Sequence, residues 1–163
     1  MKKIRLHHYF IYALVDDEDY EFLSRYDWWL SKTKTGTLYA KTYINSVKVL
    51  MHNLIIPNLL NGLIVDHKDG NGLNNQKENL RPATYAQNGQ NRKKSINTSS
   101  VYKGVYWSKN IKVWRAYIKV NGESKHLGYY KSEVMAAKVY NRAAKKYFGE
   151  FAKLNVLPII KVS

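Results

Sequence analysis

The sequence predicts an α+β fold divided into two small modules. Its 163 residues leave room for two domains, because domains rarely fall much below about 50 residues. Apolar residues make up 45% of the chain and include 4 Trp and 14 Tyr, which supplies material for packed cores. Short strand and helix patterns flank a polar, basic stretch. We therefore expect a first module at 1–89, a basic linker at 90–100 and a second module at 101–157.

The first module opens with short local elements. Residues 4–15 mix β-branched and aromatic types, and residues 16–24 favour a helix whose acidic cluster caps the positive end of the helix dipole. A hairpin is indicated over 37–50, and a short helix follows from Met51 until Pro57. This region is therefore predicted to be rich in β-structure.

The stretch from 62 to 91 changes to Asn, Gly, Asp and Gln, which favour turns because their side chains bond nearby backbone. Within it, residues 63–65 form a short strand that ends at Asp66 and His67, and the chain returns near Leu80. Two polar residues thus stand at the end of a strand. Catalytic groups commonly occupy such positions.

The second module follows a polar segment from 87 to 100, which is the natural linker. Three short strands are predicted at 102–107, 113–120 and 124–130. Asn121 and Gly122 mark the second turn as a hairpin. A helix then begins at Ser132 and ends at Gly149, which suits the left-handed terminating position. The module is therefore expected to be a three-stranded antiparallel sheet plus one helix.

Periodicity assigns faces to the helix and to the middle strand. The apolar stripe of the helix consists of Ala136, Val139, Tyr140, Ala143 and Tyr147. Alternation in the strand directs Trp114, Ala116 and Ile118 towards the helix. The opposite, outward face carries the basic and aromatic residues Arg115, Tyr117 and Lys119. A ribbon of strands with such a face can enter the major groove of DNA.

Charge points to a polyanionic partner. The formal net charge is +15 and the pI is near 9.8. Residues 1–87 carry 11 Lys or Arg against 9 Asp or Glu, whereas residues 88–163 carry 16 against 3.

The chain has no cysteine, which excludes disulfides and thiolate zinc sites, and no structural zinc is expected. We read neither an export signal nor an apolar stretch of the ~18 residues that a membrane-spanning helix needs, and we expect a soluble, intracellular protein.

Four polar residues of the first module, Asp66, His67, Asn79 and Asn88, form a chemical set, with His52 upstream. Carboxylate and amide oxygens are hard ligands suited to Mg²⁺, which keeps several waters and also binds phosphate oxygens. A neighbouring histidine titrates near neutrality and can take the proton from an attacking water. Together these groups indicate metal-assisted phosphodiester hydrolysis.

The same region resembles the HNH homing-endonuclease motif of phages and mobile introns. The resemblance covers nearly all of residues 5–91, and its motif is carried by Gly62-Leu63-Ile64-Val65-Asp66-His67-Lys68-Asp69-Gly70-Asn71, Asn74-Asn75, Glu78-Asn79-Leu80-Arg81, Thr84 and Asn88. Many residue types thus recur at fixed spacing. Asn75 stands where the family commonly has Asp.

This resemblance implies a ββα-metal fold and a role for each site residue. Asp66 and Asn88 would hold one divalent ion, Mg²⁺ with Mn²⁺ able to substitute, against the scissile phosphate. His67 would be the general base, and Asn79 would brace the loop that aims it. His52 corresponds to the leading histidine of a segment upstream of the motif. The implied products carry 5′-phosphate and 3′-hydroxyl ends.

The second module resembles the APETALA2-type domain of plant ethylene-response factors. The match spans residues 99–157 and is carried by Tyr102-Lys103-Gly104-Val105, Trp114-Arg115-Ala116-Tyr117-Ile118, Leu127-Gly128-Tyr129-Tyr130, the helix residues from Ala136 to Ala144, and Gly149 with Ala152-Lys153-Leu154-Asn155. The resemblance implies a sheet lying in the major groove. Its DNA-facing set would be Lys103, Tyr106, Ser108, Tyr117, Lys119, His126 and Tyr129, with Arg115 added by strand alternation. In the linker, Arg92, Lys93 and Lys94 can neutralise phosphates.

We therefore expect a site-selective, homing-type endonuclease that binds double-stranded DNA and nicks it as a monomer, without an obligate protein partner. As a phage or mobile-element protein, it would act in the cytoplasm of a bacterial host. One alternative is a catalytically inactive transcription regulator that uses both modules for binding. An RNA-binding or nucleoid protein is a second alternative, and metal-dependent cutting of duplex DNA separates the prediction from both. A membrane-surface binder has little support, because the basic residues do not lie on a strongly amphipathic helix.

Overall fold

The computed structural model describes residues 1–92, 94 and 98–159. The chain divides into two compact units, Met1–Asn88 and Gly89–Ser163. Among the described residues, no helix is long and apolar enough to cross a lipid bilayer.

The first unit contains three small antiparallel sheets. Its elements are β1 (Lys2–Arg5), β2 (Tyr12–Val15), α1 (Asp17–Leu23), β3 (Trp29–Lys32), β4 (Leu38–Ile44), β5 (Val47–Leu50), α2 (Met51–Ile55), β6 (Leu63–His67), a 3₁₀ turn (Lys77–Asn79), β7 (Leu80–Thr84) and the start of α3 (Tyr85–Asn91). The sheets are β1–β2, β3–β4–β5 and β6–β7. The predicted hairpin over 37–50, the short helix at Met51 and the returning strand at Leu80 are confirmed. Strand β3 was not predicted.

The predicted linker begins too early, because α3 occupies part of it. Thr84 and Gln87 form reciprocal bonds at the helix start: the Gln87 amide donates to Thr84 Oγ1 at 3.2 Å, and the Thr84 amide donates to Gln87 Oε1 at 2.8 Å. This Thr-x-x-Gln arrangement is a capping box, which satisfies backbone donors that a helix end otherwise leaves unpaired. The boundary between the two units falls within this helix.

The core of the first unit joins the first two sheets with α1 and α2. The buried residues are Ile4, Leu6, Ala13, Val15, Leu23, Trp28, Ala40, Met51 and Leu73. Trp28 is the largest fully buried side chain, and its indole Nε1 donates to the Leu23 carbonyl at 2.8 Å. A buried indole N–H needs such a partner, so this bond ties the end of α1 to the core.

The second unit is the expected three-stranded sheet with one helix. Its elements are β8 (Val105–Ser108), β9 (Val113–Val120), β10 (Glu123–Tyr130) and α4 (Glu133–Phe148), followed by a 3₁₀ turn (Gly149–Phe151). The strands are antiparallel, with β9 in the centre. The Ser132 side chain accepts from the Met135 amide at the start of α4, as predicted. Gly149 ends the helix with a φ of +53°, but its ψ of −125° lies outside the predicted left-handed helical region.

Two sequence predictions for this unit need correction. The first strand begins at Val105 rather than at 102, because Gly104 takes a φ of +72° and turns the chain. The buried stripe of α4 consists of Ala136, Ala137, Tyr140, Ala144 and Phe148, whereas Tyr147 is exposed. The stripe therefore follows a 3.6-residue period towards Phe148, which packs with Ile118. The predicted inward face of β9 is confirmed by the burial of Ala116 and Ile118.

Candidate active site and DNA-facing sheet

The hairpin of β6 and β7 positions two of the predicted site residues. Asp66 and His67 end β6, and the antiparallel register places Arg81 opposite Asp66 and Leu80 opposite His67. Both site side chains are buried, with exposed fractions of 2% for Asp66 and 4% for His67. Successive side chains of a strand point to opposite faces, so the carboxylate and the imidazole leave β6 on different sides.

Arg81 holds the Asp66 carboxylate in a buried ion pair. Its Nε and Nη2 atoms donate to Asp66 Oδ2 at 2.9 and 2.8 Å. Removing one partner of such a pair leaves an uncompensated buried charge, which typically costs about 3–5 kcal/mol. Sequence reasoning assigned Arg81 no role. Its place directly across the hairpin from an acidic residue is the signal that identifies it.

A hydrogen bond to Asn75 and aromatic contacts with His52 and Tyr39 hold the His67 ring. His67 Nε2 donates to Asn75 Oδ1 at 3.2 Å. The rings of His52, from α2, and Tyr39, from β4, meet the His67 ring edge to face, with centroids at 5.0 and 5.7 Å. The structure thus brings the predicted His52 and His67 together and adds Tyr39, which sequence reasoning missed. It also gives Asn75, a residue of the sequence motif, a contact with His67 that the sequence did not specify. The alternation of β4, with Ala40 buried on the opposite side, is the signal for Tyr39.

Burial keeps both histidines neutral. Desolvation lowers the pKa of His67, against the raising effects of the Asn75 hydrogen bond and of the charges on Asp69 and Asp66. The pKa of His52 is lowered to about 3, chiefly by desolvation and to a smaller extent by the nearby His67. Within the described part of the chain, His52 Nδ1 and Asn75 Nδ2 are buried polar atoms without a hydrogen-bond partner. Such unsatisfied groups are rare in folded proteins, and a bound water or ion, backbone strain or a catalytic role can account for them.

Asn79 ties together the loop that follows His67. Its Nδ2 donates to Asp69 Oδ1 at 3.0 Å and to the Asn74 carbonyl at 2.8 Å, and its Oδ1 accepts from the Asp69 amide at 3.0 Å. Burial would raise the pKa of Asp69, but hydrogen bonds from Asn71, Asn74 and Asn79 outweigh it and hold that pKa below its usual value. The loop therefore has a fixed shape beside the histidine.

The acidic cluster was predicted to lie at the positive end of the α1 dipole, and Asp17, Glu18 and Asp19 do occupy the first turn of that helix. Asp16 makes no side-chain capping bond to α1. Its carboxylate instead accepts from the Lys77 amide at 2.7 Å and from Gln76 Nε2 at 3.3 Å. The Lys77 ammonium in turn pairs with Glu18 and Asp19. The cluster thus fastens the segment before Asn79 to α1, a pairing that local sequence cannot reveal.

Asp66 and Asn88 are the residues that could hold a metal, through their side-chain oxygen atoms. Asn88 lies on α3 and is partly exposed, one residue after Gln87 of the capping box. Among the residues that the structure describes, no group of three or more His, Cys, Asp or Glu is arranged around a metal position. A carboxylate with an amide oxygen fits a hard ion such as Mg²⁺, which takes few protein ligands and keeps its waters.

The exposed face of the β8–β9–β10 sheet carries a cluster of aromatic and basic side chains around Arg115. The register aligns Tyr106, Arg115 and Tyr129 across the three strands. The Arg115 guanidinium lies over both rings, at 5.4 Å from Tyr106 and 5.9 Å from Tyr129, and its Nε donates to His126 Nδ1 at 3.1 Å. Tyr117 meets Tyr106 edge to face at 5.3 Å. Ser108 and the exposed Lys119 alternate onto this face as well.

The remaining predicted DNA contacts have different positions. The Lys103 ammonium does not extend from the sheet, since it donates to the carbonyls of Gln90 and Arg92 at 2.6 and 2.7 Å. Burial, aided by Lys153 and Arg92, lowers the pKa of Lys103 to about 8. The Arg92 side chain is exposed and Lys94 is partly exposed, whereas Lys93 lies outside the described residues.

Comparisons with known proteins match the region of the chain that contains the candidate site. A family model described as HNH endonuclease matches residues 57–90. The chain is 34% identical over 149 residues to an uncharacterized HNH endonuclease of Acanthamoeba polyphaga mimivirus, covering 88% of this chain and 74% of that protein. It is 33% identical over 92 residues to Protein 3.8 of Escherichia phage T7, covering 56% of this chain and 75% of that protein. No solved structure gives a significant match. At this identity and coverage, the chain belongs to the HNH endonuclease family and is a DNA endonuclease.

Proposed function

We propose that the protein is a site-selective, homing-type endonuclease that hydrolyses a DNA phosphodiester with a divalent metal ion. The observation that carries the proposal is the setting of His67. It is buried and neutral, its ring is fixed by Asn75, and it directly follows Asp66. A neutral, oriented imidazole is what a general base requires.

The hydrogen bond to Asn75 assigns a direction to the proton transfer. With Nε2 donating to Asn75 Oδ1, neutral His67 carries its lone pair on Nδ1. Nδ1 would take the proton from the attacking water. Charge on the resulting imidazolium would be offset by the nearby carboxylates of Asp66 and Asp69, which favour the protonated ring.

Asp66 and Asn88 would hold the divalent ion, Mg²⁺ or Mn²⁺. The order β6, β7, α3 supports a ββα-metal arrangement, since Asp66 ends the first strand and Asn88 lies on the helix. Arg81 would keep the Asp66 carboxylate in place. When bound, such an ion supplies Lewis acidity at the phosphate. Asn79 would brace the loop that follows the base, as its three bonds indicate.

The second unit would select the target. Its sheet face combines rings with a guanidinium, groups that contact phosphates and base edges in the major groove. One active site supplies one nucleophile, which favours nicking by a monomer. Relatives in a phage and a virus support action on DNA inside a host cell, and for this chain we infer a bacterial cytoplasm.

Incubation of supercoiled plasmid and genomic DNA with Mg²⁺, Mn²⁺ or EDTA tests this function. We expect open circles with Mg²⁺ or Mn²⁺ and no cutting in EDTA. DNA ligase should reseal the nicks without kinase or phosphatase treatment, because the ends carry 5′-phosphate and 3′-hydroxyl groups. Linear product would show instead that both strands are cut.

Two variants and one control assign the chemistry. His67→Gln and Asp66→Asn should lose at least about 100-fold in cleavage rate, the order expected for a lost general base. His67→Gln should keep its DNA binding and thermal melting, whereas Asp66→Asn should melt at a lower temperature, because it leaves the buried Arg81 charge unpaired. Asp17→Asn, which neutralises an exposed carboxylate of α1, should cut like the wild type. A His67→Gln protein that still cuts would refute the assigned base. If the wild-type protein binds DNA but does not cut it in the presence of any divalent ion tested, the binding-only regulator becomes the better account.

A further inference from the structure

The outer face of the β3–β4–β5 sheet is not used by the proposed mechanism. Ala40 and Thr42 of β4 are buried on the core side. Alternation therefore places Tyr39, Lys41 and Tyr43 on the opposite side of the same strand. The chemistry of that second side is both aromatic and basic.

Rings from three segments join on this side into one continuous surface. The register pairs Trp29 of β3 with Lys41, and the Trp29 ring meets the Tyr43 ring with centroids 6.3 Å apart. His7, from the turn between β1 and β2, stacks on Trp29 at 5.4 Å with 23° between the ring planes. Lys41 Nζ lies 5.2 Å from the centre of the Tyr43 ring. We call His7, Trp29, Lys41 and Tyr43 the aromatic track.

The track is open to solvent and carries more positive than negative charge. Tyr43 is 52% exposed, and Trp29 and Lys41 are partly exposed. Lys48 of β5 pairs with Tyr43 in the register and adds a second ammonium to this side. Asp27 accepts from His7 Nε2 at 2.9 Å and is the acidic group in contact with the track. Exposed rings interleaved with cations suit a nucleic acid, whose bases stack on rings and whose phosphates bind ammonium groups.

The aromatic track is continuous with the candidate active site. Tyr39 lies on the same face of β4, one alternation before Lys41, and its ring centroid is 5.7 Å from that of His67. Two strand residues advance about 7 Å, so Tyr43 lies two such steps from Tyr39 along β4. The surface thus begins at the candidate general base and runs outward over about 14 Å, which corresponds to about four nucleotides at the ~3.4 Å spacing along one strand of a DNA duplex.

We propose that the aromatic track binds the DNA strand next to the scissile phosphate. The faces of Trp29 and Tyr43 contact bases or sugars, and Lys41 contacts a phosphate. Because every base has a π-face, this contact is tolerant of sequence and holds the strand in the active site, whereas the second unit selects the target. The inference rests on the proposed function of His67 and adds a substrate-positioning surface to it.

Hydroxyl-radical footprinting of full-length protein on a duplex that contains the cut site tests the proposal. Tyr43→Ala and Lys41→Glu are made in the His67→Gln background, so that the DNA stays intact. We expect each variant to lose protection at the nucleotides that flank the cut, while protection by the β8–β10 sheet remains. With His67 restored, the same changes should raise KM about tenfold, the scale of one lost stacking contact, with a smaller change in kcat.

Matched controls come from positions away from the track. Phe22→Ala removes an exposed ring of α1, and Lys138→Glu makes the same charge reversal on the solvated side of α4. Both controls should leave footprint and KM at wild-type values. Unchanged protection beside the cut in both track variants overturns the inference. The inference is also overturned if Tyr43→Ala converts a dimer to a monomer and leaves the footprint unaltered, because the track would then contact a second copy of the chain. Cutting by His67→Gln is a separate result, which refutes the proposed base and not the track.

Discussion

At the scale of single residues, the buried His52 links folding to pH. Its folded-state pKa of about 3 lies below the ordinary value of 6.5 that the unfolded chain retains. Protonation therefore favours unfolding. The stability contributed by neutral His52 is complete above pH 6.5 and is lost as the pH falls from 6.5 towards 3.

Urea unfolding between pH 8 and pH 4 measures this linkage. The free energy of unfolding should fall below pH 6.5 by up to about 1.4 kcal/mol per pH unit from this histidine. His52→Phe keeps a ring against Tyr39 and should flatten part of the slope, whereas His8→Phe, at an exposed position, should not. Equal slopes in both variants would contradict the burial argument.

Asn75 offers a second test at this scale. Asn75→Ala removes the acceptor for His67 Nε2, so the ring loses its orientation, and we expect kcat to fall by about 100-fold. Asn75→Asp places a carboxylate there, which stabilises the imidazolium and raises the pKa of His67. The acidic limb of the kcat profile should therefore move to higher pH, a shift that a purely structural role would not produce. Thermal melting checks that both variants fold.

At the scale of elements, the sequence predicts those strands and helices that are determined by alternation and by capping residues within the element. Strands β4 to β6, the helix α4 and the inward face of β9 follow from alternation, the Ser132 cap and Gly149. Strand β3 carries no alternation strong enough to identify it and is held by pairing with β4. The polar composition around residues 87–91 predicts a linker, but the Thr84–Gln87 capping box starts α3 in this segment.

The residues of the candidate site likewise fall into those that the local sequence indicates and those that enter through contacts with other segments. Asp66 and His67 are recognisable because they end a strand beside turn residues. Tyr39 and Asn75 enter through contacts with His67 from separate segments, which spacing alone does not specify. Arg81 lies opposite Asp66 in the β6–β7 hairpin, so the pairing of the two strands indicates its role. The bonds from Gln76 and Lys77 to Asp16 are contacts of the same kind.

A glycine at the start of β8 tests element packing. A Cβ added to Gly104, whose φ is +72°, would lie 2.1 Å from the Tyr140 ring, whereas Gly122, with a φ of +87°, has nothing within 4 Å. Gly122→Ala therefore carries only backbone strain, about 1 kcal/mol. Gly104→Ala adds a clash between the sheet and α4 and should lower the free energy of unfolding by roughly 2–4 kcal/mol. Chemical denaturation measures the free energy of unfolding of both variants. Equal losses would show that α4 moves away from the added Cβ without a loss of stability.

At the scale of the whole molecule, chemistry and charge belong to different units. The histidine site lies in Met1–Asn88, and the basic excess lies beyond it, where residues 88–163 carry 16 Lys or Arg against 3 Asp or Glu. A field of that sign attracts DNA at long range, and the steepness of its salt dependence reports how many phosphates are contacted. Variants in the two units should therefore affect different kinetic constants.

Arg115→Ala tests this division. Arg115 is the centre of the exposed ring cluster, so its loss should weaken DNA binding without changing kcat at saturating DNA. Affinity measured against salt then identifies the contact: the slope of log K against log salt falls by about 0.9 if the guanidinium contacts a phosphate, and selectivity for the cut site falls instead if it contacts a base. Lys145→Ala, on the exposed side of α4, is the matched control and should keep the wild-type slope and selectivity. If Arg115→Ala leaves affinity, slope and selectivity unchanged, the sheet face does not bind DNA, and targeting must lie in the first unit.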